Sequence, residues 1–452
     1  MTEDIWNLAE IASKQILSNE PCARFRIISH YDADGISAAA IMCHALLRQG
    51  FDVHTTLMRN PFTMGLERLS LETNDFIIFT DMGSGQLSMI ESLKAQIIII
   101  DHHQVEYTKI PDRILQINAN LCGINGNYEA CGATLSYAIA KKLNAKNIDL
   151  SAFALAGATG DKQYIGGFRG FNKQILDEAV NNHIITPVTG LKLSEEPLSE
   201  ALYYSVDPFY ANLSGHKDVI EEFLTTLKID AKMSYQQLSS DERKTLHSML
   251  MLRLVEQGCE PNILDTVIRE RYESFYTHGE LETFADLLDS CGKGGNRGIG
   301  LAICLGDDKA YTSARSLEKT YKQQILDELL NLEKNGVKEA ASFRYFYTDH
   351  SSLGGVIGGI VTNFLLDKEK PLLSIAKKPD ELHVSARGNQ YLVDKGLDLG
   401  AAMQQAARAL NGHGGGHKIA AGATVSTAVE LDFITQVDEI ISSQLQLKKG
   451  SP

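Results

Sequence analysis

Phe25-Arg26-Ile27-Ile28-Ser29-His30-Tyr31-Asp32-Ala33-Asp34-Gly35 is the stretch on which the fold turns. An apolar, β-branched run reads as a strand. It ends in an imidazole and two carboxylates at alternating positions, followed by a glycine that permits a sharp turn. Working outward, similar runs occur at Phe76 to Thr80, Ile97 to Ile100 and Ile114 to Ile117. Stretches that read as helices lie between them, such as Ser37 to Gln49 and Gly85 to Lys94, and an amphipathic helix over Ile5 to Leu17 opens the chain. Strand alternating with helix predicts an α/β fold with a doubly wound parallel sheet covered on both faces. That domain is placed at residues 1–190.

The texture changes after Pro197. Polar-apolar patterns over Asp218 to Leu227, Ser240 to Glu256 and Leu281 to Leu288 predict a helical middle region, residues 191–299, closed by the glycine-dense Gly292 to Gly300 as a linker or substrate-facing loop. Strand-like runs (Ala341 to Tyr347, Leu372 to Ala376, Leu382 to Ser385) then alternate with helical ones (Tyr311 to Lys334, Gly354 to Leu366, Leu399 to Leu410). They predict a smaller C-terminal α/β domain over 300–448, with a frayed tail from Lys448. Such a division suits the 452-residue length.

Composition narrows the function. Nothing approaches the ~20 consecutive apolar residues of a membrane span, and Glu3 and Asp4 stand where a signal peptide would be basic. Seven scattered cysteines without a C-x-x-C pair suggest reduced thiols, so a soluble, cytoplasmic protein is expected. A net charge of −14 disfavours coating of nucleic acid by bulk positive charge. Phosphate must then be held by local basic groups or metal ions. Residues 371–422 are locally positive, with six Lys and Arg against four acids.

The chemistry gathers at strand ends, where doubly wound sheets bind ligands. His30, Asp32 and Asp34 follow the first strand, Asp81 the next, and Asp101-His102-His103 the run Ile97 to Ile100; Asp161 follows the helix Ala152 to Thr159. Any one aspartate could simply cap a helix. Four such elements carrying three histidines are hard to assign to caps, and the mixed donors suit divalent cations. Near the other end, Gly414-Gly415-Gly416-His417-Lys418 reads as a backbone able to approach a phosphate and form an anion nest, and Ser385-Ala386-Arg387 offers a guanidinium for bidentate phosphate contact. The absence of a Walker A sequence disfavours a nucleoside-triphosphate motor.

These motifs resemble those of the DHH phosphoesterases. His30 to Gly35, Asp81, Asp101-His102-His103 and Asp161 match the four N-terminal motifs, and Gly414 to Lys418 with Ala420-Ala421-Gly422 match the GGGH…AAG signature of the DHH-associated C-terminal domain. The whole is most similar to archaeal RecJ-like exonucleases of the GINS-associated type. That resemblance implies two divalent ions, Mn²⁺ preferred and Mg²⁺ allowed. His30, Asp32 and Asp81 would hold one; Asp34, Asp81, His102 and Asp161 would hold the other. It further implies that Asp101 orients an imidazole, that His103 donates to the scissile phosphate or leaving oxygen, and that Ser385, Arg387, Gly414, Gly415, Gly416, His417 and Lys418 bind substrate, Arg387 and His417 taking part in catalysis. The expected activity is exonucleolytic hydrolysis of single-stranded DNA or RNA in a cleft between the α/β domains, with GINS or other replisome proteins as partners and no membrane. The alternatives are a nanoRNase or small-nucleotide phosphodiesterase, and a non-catalytic replisome scaffold. One departure stands out. Bacterial members carry an L-N-A-A-G-R-like element where this chain has Leu288-Asp289-Ser290-Cys291-Gly292-Lys293, so the arginine's phosphate or base contacts do not carry over.

Overall fold

The computed structural model describes residues 4–21, 23–58, 64–72, 74–106, 110–194 and 196–446; Cys22 and the tail from Lys448 lie outside them. Five strands, β1 (Arg24–Ser29), β2 (Asp52–Leu57), β3 (Phe76–Thr80), β4 (Gln96–Asp101) and β5 (Ile114–Asn118), form a parallel sheet in the order β2-β1-β3-β4-β5. Their unbroken apolar runs serve two cores at once. Ile27, Ile78, Ile98 and Ile100 face one core, and Ile28, Ile77, Phe79, Ile97 and Ile99 the other. Each such side chain contributes about 1.5–3 kcal/mol by leaving water. β2 escapes the sequence pattern because it is an edge strand, half-exposed, reading Asp-Val-His-Thr-Thr-Leu. The chain runs from β1 out to β2 and back across to β3, so β1 and β3 flank the switch point, where a crevice opens at their C-terminal ends.

On the first core, the alanine-rich helix Ala33–Arg48 packs against Gly132–Leu143 and Ser151–Gly160. On the second, the helix expected over Gly85 to Lys94 shrinks to Leu87–Ile90.

Contacts divide the chain into two units, 1–192 with 269–319, and 193–268 with 320–452. The stretch 191–299 holds the expected helices, Lys217–Thr226, Ser240–Glu256 and Leu281–Lys293. It also contains β7 (Ile268–Ser274) and β8 (Gly279–Glu280), which form a sheet with β6 (Thr186–Leu191) in the order β6-β7-β8. The glycine-dense Gly292 to Gly300 is no linker. It runs from the end of the helix Leu281–Lys293, through a short turn with Gly295 at a φ of +83°, into the helix Arg297–Cys304, both helices lying in the first unit. A Cβ on Gly292 would lie 1.8 Å from the Tyr31 carbonyl oxygen, so this glycine allows close helix contact.

The second unit carries β9 (Lys338–Glu339), β10 (Arg344–Thr348), β11 (Leu372–Lys377), β12 (Glu381–Arg387), β13 (His413–Gly416) and β14 (Ala420–Ser426). They form one sheet in the order β13-β14-β12-β11-β10-β9, and β10 with β11 is its parallel pair. Leu373, Ile375, Leu382 and Val384 share a core with the helix Leu399–Ala409 and with Phe433, Val437 and Ile441. Among the described residues, no helix is long and apolar enough to cross a membrane.

Candidate metal centre

β1 delivers His30 at its C-terminal end, and the following turn makes Asp32 the cap of the helix Ala33–Arg48. One Asp32 oxygen accepts the Gly35 N–H (3.0 Å) while the other lies 2.8 Å from His30 Nδ1. The capping reading and the site reading therefore hold for the same carboxylate. Asp34, one residue into the helix, points inward. Its two oxygens accept the N–H groups of Gly132 (2.7 Å) and Ala133 (2.9 Å), at the positive end of the helix Gly132–Leu143.

Asp81 ends β3 in the left-handed region, at a φ of 56°, which an aspartate tolerates better than most residues. Its two oxygens face different imidazoles: Oδ1 is 3.1 Å from His102 Nε2, and Oδ2 is 3.4 Å from His30 Nδ1. His102 donates from Nδ1 to the Gly126 carbonyl (2.6 Å), which turns Nε2 toward Asp81, Asp161 (3.3 Å) and Asp34 (3.7 Å). Asp101 is fully engaged. It accepts from the N–H groups of Ser84, His102 and His103 and lies 2.8 Å from His103 Nδ1. The His103 ring is about half exposed.

Charge explains what this cluster can hold. Burial raises Asp34, and the neighbouring Asp81 and Asp161 charges raise it further. Burial chiefly pushes Asp161 up to about 7. Burial would raise Asp81 as well, but the His102 and His30 imidazoles facing its two oxygens hold it well below the usual carboxylate range. Burial would lower His30, yet Asp32 and Asp81 push it up to about 11. The carboxylates thus demand positive charge. His30 Nδ1 is buried without an aligned hydrogen-bond partner. Among the described residues, donor atoms lie within 4.8 Å of one another in three sets: His30, Asp32 and Asp81; Asp34, His102 and Asp161; and Asp81, His102 and His103. Oxygen and imidazole donors in this number fit divalent cations such as Mn²⁺ or Mg²⁺.

Several residues of the site carry no signal of their own in the sequence. Gln163 donates to the carbonyls of Gly126 and Ala130 (both 3.0 Å), so it grips the same carbonyl that orients His102. Asn172 donates in turn to Gln163 Oε1. Asn120 donates to the carbonyls of His102 and His103, and Asn118 to the latter. For the two asparagines, their place at the end of β5, alongside the other site residues, was the available clue.

The other predicted residues lie in the second unit. Ser385 and Arg387 are on β12, and burial lowers the Arg387 guanidinium. Arg387 donates to the Ala386 carbonyl (2.9 Å), and Gly355 leaves room for it: a Cβ there would lie 2.5 Å from Arg387 Nη2. Gly414, Gly415 and Gly416 do not form the expected nest. They are in strand β13, paired with β14, where successive N–H groups point to opposite sides and do not converge. Packing accounts for two of these glycines, since a Cβ would lie 2.3 Å from the Met403 carbonyl oxygen at Gly414 and 2.7 Å from Ala421 Cα at Gly416. His417 and Lys418 are exposed in the turn that follows.

Histidines and aspartates thus converge at the switch point of a doubly wound α/β sheet. Residues 24–160 match the DHH family, N-terminal domain, and residues 342–443 match the DHHA1 domain. The uncharacterized protein MJ0831 of Methanocaldococcus jannaschii is 29% identical over 428 residues, covering 93% of this chain and 94% of that protein. Among solved structures, RecJ in complex with Mn²⁺ from Thermus thermophilus is similar, with a TM-score of 0.62 and 16% identity, over 98% of this chain but 55% of that one. CDC45 from Entamoeba histolytica has a TM-score of 0.65 at 12% identity, covering 98% and 100%. At these identities the likeness is one of fold.

Proposed function

We propose that this protein is a divalent-metal-dependent phosphodiesterase that removes nucleotides from an end of single-stranded DNA or RNA. The observation that carries the proposal is the Asp81 carboxylate, one oxygen toward each imidazole, amid further ligand-type side chains. His30, Asp32 and Asp81 would hold one ion, and Asp34, Asp81, His102 and Asp161 the other, with Mn²⁺ favoured by the mixed donors. Bound ions supply an acidified water and neutralise charge on the reacting phosphate.

The chain's own groups do the rest. Gly126 fixes the His102 ring so that Nε2 faces the carboxylates. Asp101 accepts from His103 Nδ1 and orients that ring, leaving Nε2 to meet the leaving oxygen. In the second unit, Arg387 and Ser385 take a substrate phosphate, with His417 and Lys418 beside the glycine strand as further contacts. The complete acid and imidazole set favours an enzyme over a scaffold.

The test uses 5′- or 3′-labelled DNA and RNA oligomers with Mn²⁺ or Mg²⁺, followed by product length. Stepwise shortening is expected. Cleavage confined to the shortest oligomers would replace the reading by a small-nucleotide phosphodiesterase, and no cleavage of any oligomer would overturn it. Asp81→Ala is expected to abolish hydrolysis and to lower metal content at both positions; near-normal turnover with two metals retained would refute the bridging role.

A further inference from the structure

The segment that departs from the bacterial motif holds an internal ion pair. Asp289 and Lys293 stand one turn apart on the helix Leu281–Lys293 and pair with each other. The Asp289 carboxylate also accepts the Ala33 N–H (2.8 Å), at the first turn after His30-Tyr31-Asp32. Lys293 is therefore already neutralised, and Asp289 is committed to the backbone beside the metal centre. Both replacements serve the protein's own structure.

Arg297, four residues on, is placed differently. It opens the helix Arg297–Cys304, and its guanidinium lies over the Tyr31 ring, 5.2 Å from the centroid. Nη1 makes one long hydrogen bond, 3.4 Å, to the carbonyl of Leu57, the last residue of β2. Nε is buried without a hydrogen-bond partner, and among the described residues no carboxylate pairs with this guanidinium. A five-donor cation is thus held by a ring face and one carbonyl, with most of its hydrogen-bonding capacity unused. It sits where β1 and β2 end, the side from which ligands reach a doubly wound sheet, and Tyr31 lies between the metal-type residues His30 and Asp32. Gly292, against the Tyr31 carbonyl, brings the helix pair close enough for this contact.

We propose that Arg297 is a phosphate-binding residue of the first unit, gripping a phosphate of the substrate strand next to the metal centre, a role from which Lys293 is withdrawn by Asp289. This rests on the phosphodiester substrate proposed above. Stacking on Tyr31 restricts the guanidinium without using its N–H groups, so little side-chain freedom remains to be lost when a phosphate binds.

The test is equilibrium binding of a labelled, hydrolysis-resistant phosphorothioate dT oligomer to the metal-loaded full chain over a salt series, with metal content measured in parallel. Arg297→Gln is expected to weaken binding about tenfold and to reduce the slope of log K against log[salt] by ~0.7, the loss of one phosphate contact, with metal content unchanged. Arg297→Lys, which keeps the charge, retains the slope, and Lys293→Gln retains both slope and affinity. Wild-type slope and affinity in Arg297→Gln, or loss of slope in Lys293→Gln, would overturn the assignment while leaving the phosphodiesterase reading intact. Failure of the wild-type chain to bind the oligomer would overturn both.

Discussion

Gln163 links Asp161, two residues before it, to the carbonyl that orients His102. Groups that orient a metal-ligating histidine typically account for 10–100-fold in metal affinity. Gln163→Ala is accordingly expected to weaken Mn²⁺ binding within that range while circular dichroism stays native; titration with free-Mn²⁺ detection checks it, and wild-type affinity would refute the role. Glu282 carries a different prediction. Burial raises its carboxyl, but the Arg271, Lys192 and Arg269 charges more than reverse this and hold it below the usual range. A carboxyl depressed on folding contributes stability above its unfolded value, near 4.3, and loses it as pH falls through the folded one. Glu282→Gln should therefore cost about 1–3 kcal/mol at pH 7, because buried Arg271 keeps Glu280 but loses its second charged partner, and the cost should shrink on acidification. Urea denaturation at neutral and acid pH measures both. In the sequence the ligand-type residues were legible because each follows a strand or helix end. Gln163 and Glu282 were not, since one amide and one acid in polar stretches differ from surface residues only through partners distant in the chain.

Among the elements, helix packing around the centre depends on glycines that the sequence does not mark. A Cβ on Gly157 would lie 2.5 Å from Ala133 Cβ and 2.6 Å from Asp34 Oδ1. Gly157→Ala should destabilise the fold by about 1–3 kcal/mol through overpacking and displace Asp34, lowering metal affinity as well. Gly359, in the helix Gly354–Phe364, meets nothing within 4 Å, and Gly359→Ala should stabilise by about 0.5–1 kcal/mol. Opposite shifts of the urea midpoint are expected; equal shifts would mean that the packing has been misread. The continuous apolar strands β1, β3, β4 and β5 were legible because both their faces are buried. The edge strand β2, the hairpin β7–β8 and the glycine strand β13 were not: pairing with neighbours, rather than their own pattern, makes them strands.

Across the whole molecule, the proposed single-stranded substrate would have to be gripped by local cations, because the chain is acidic. Arg387, Lys418 and Arg297 are few, so the salt dependence of single-strand binding should be shallow, equivalent to about two to four phosphates at ~0.7 each. A slope implying eight or more would reveal an extended basic channel that the net charge of −14 argues against. By itself the sequence determined the alternation of strand and helix, the parallel sheet, and which acids and imidazoles stand at strand ends, because period and strand-terminal position are local properties of the chain. Only the tertiary structure decided the strand order that puts β1 beside β3, the two-sided placement of Asp81, the pairing that withdraws Lys293, and the return of residues 269–319 to the first unit. Nearly all of these join residues far apart in the chain, and such contacts are set by packing and charge balance in three dimensions rather than by any pattern along the sequence.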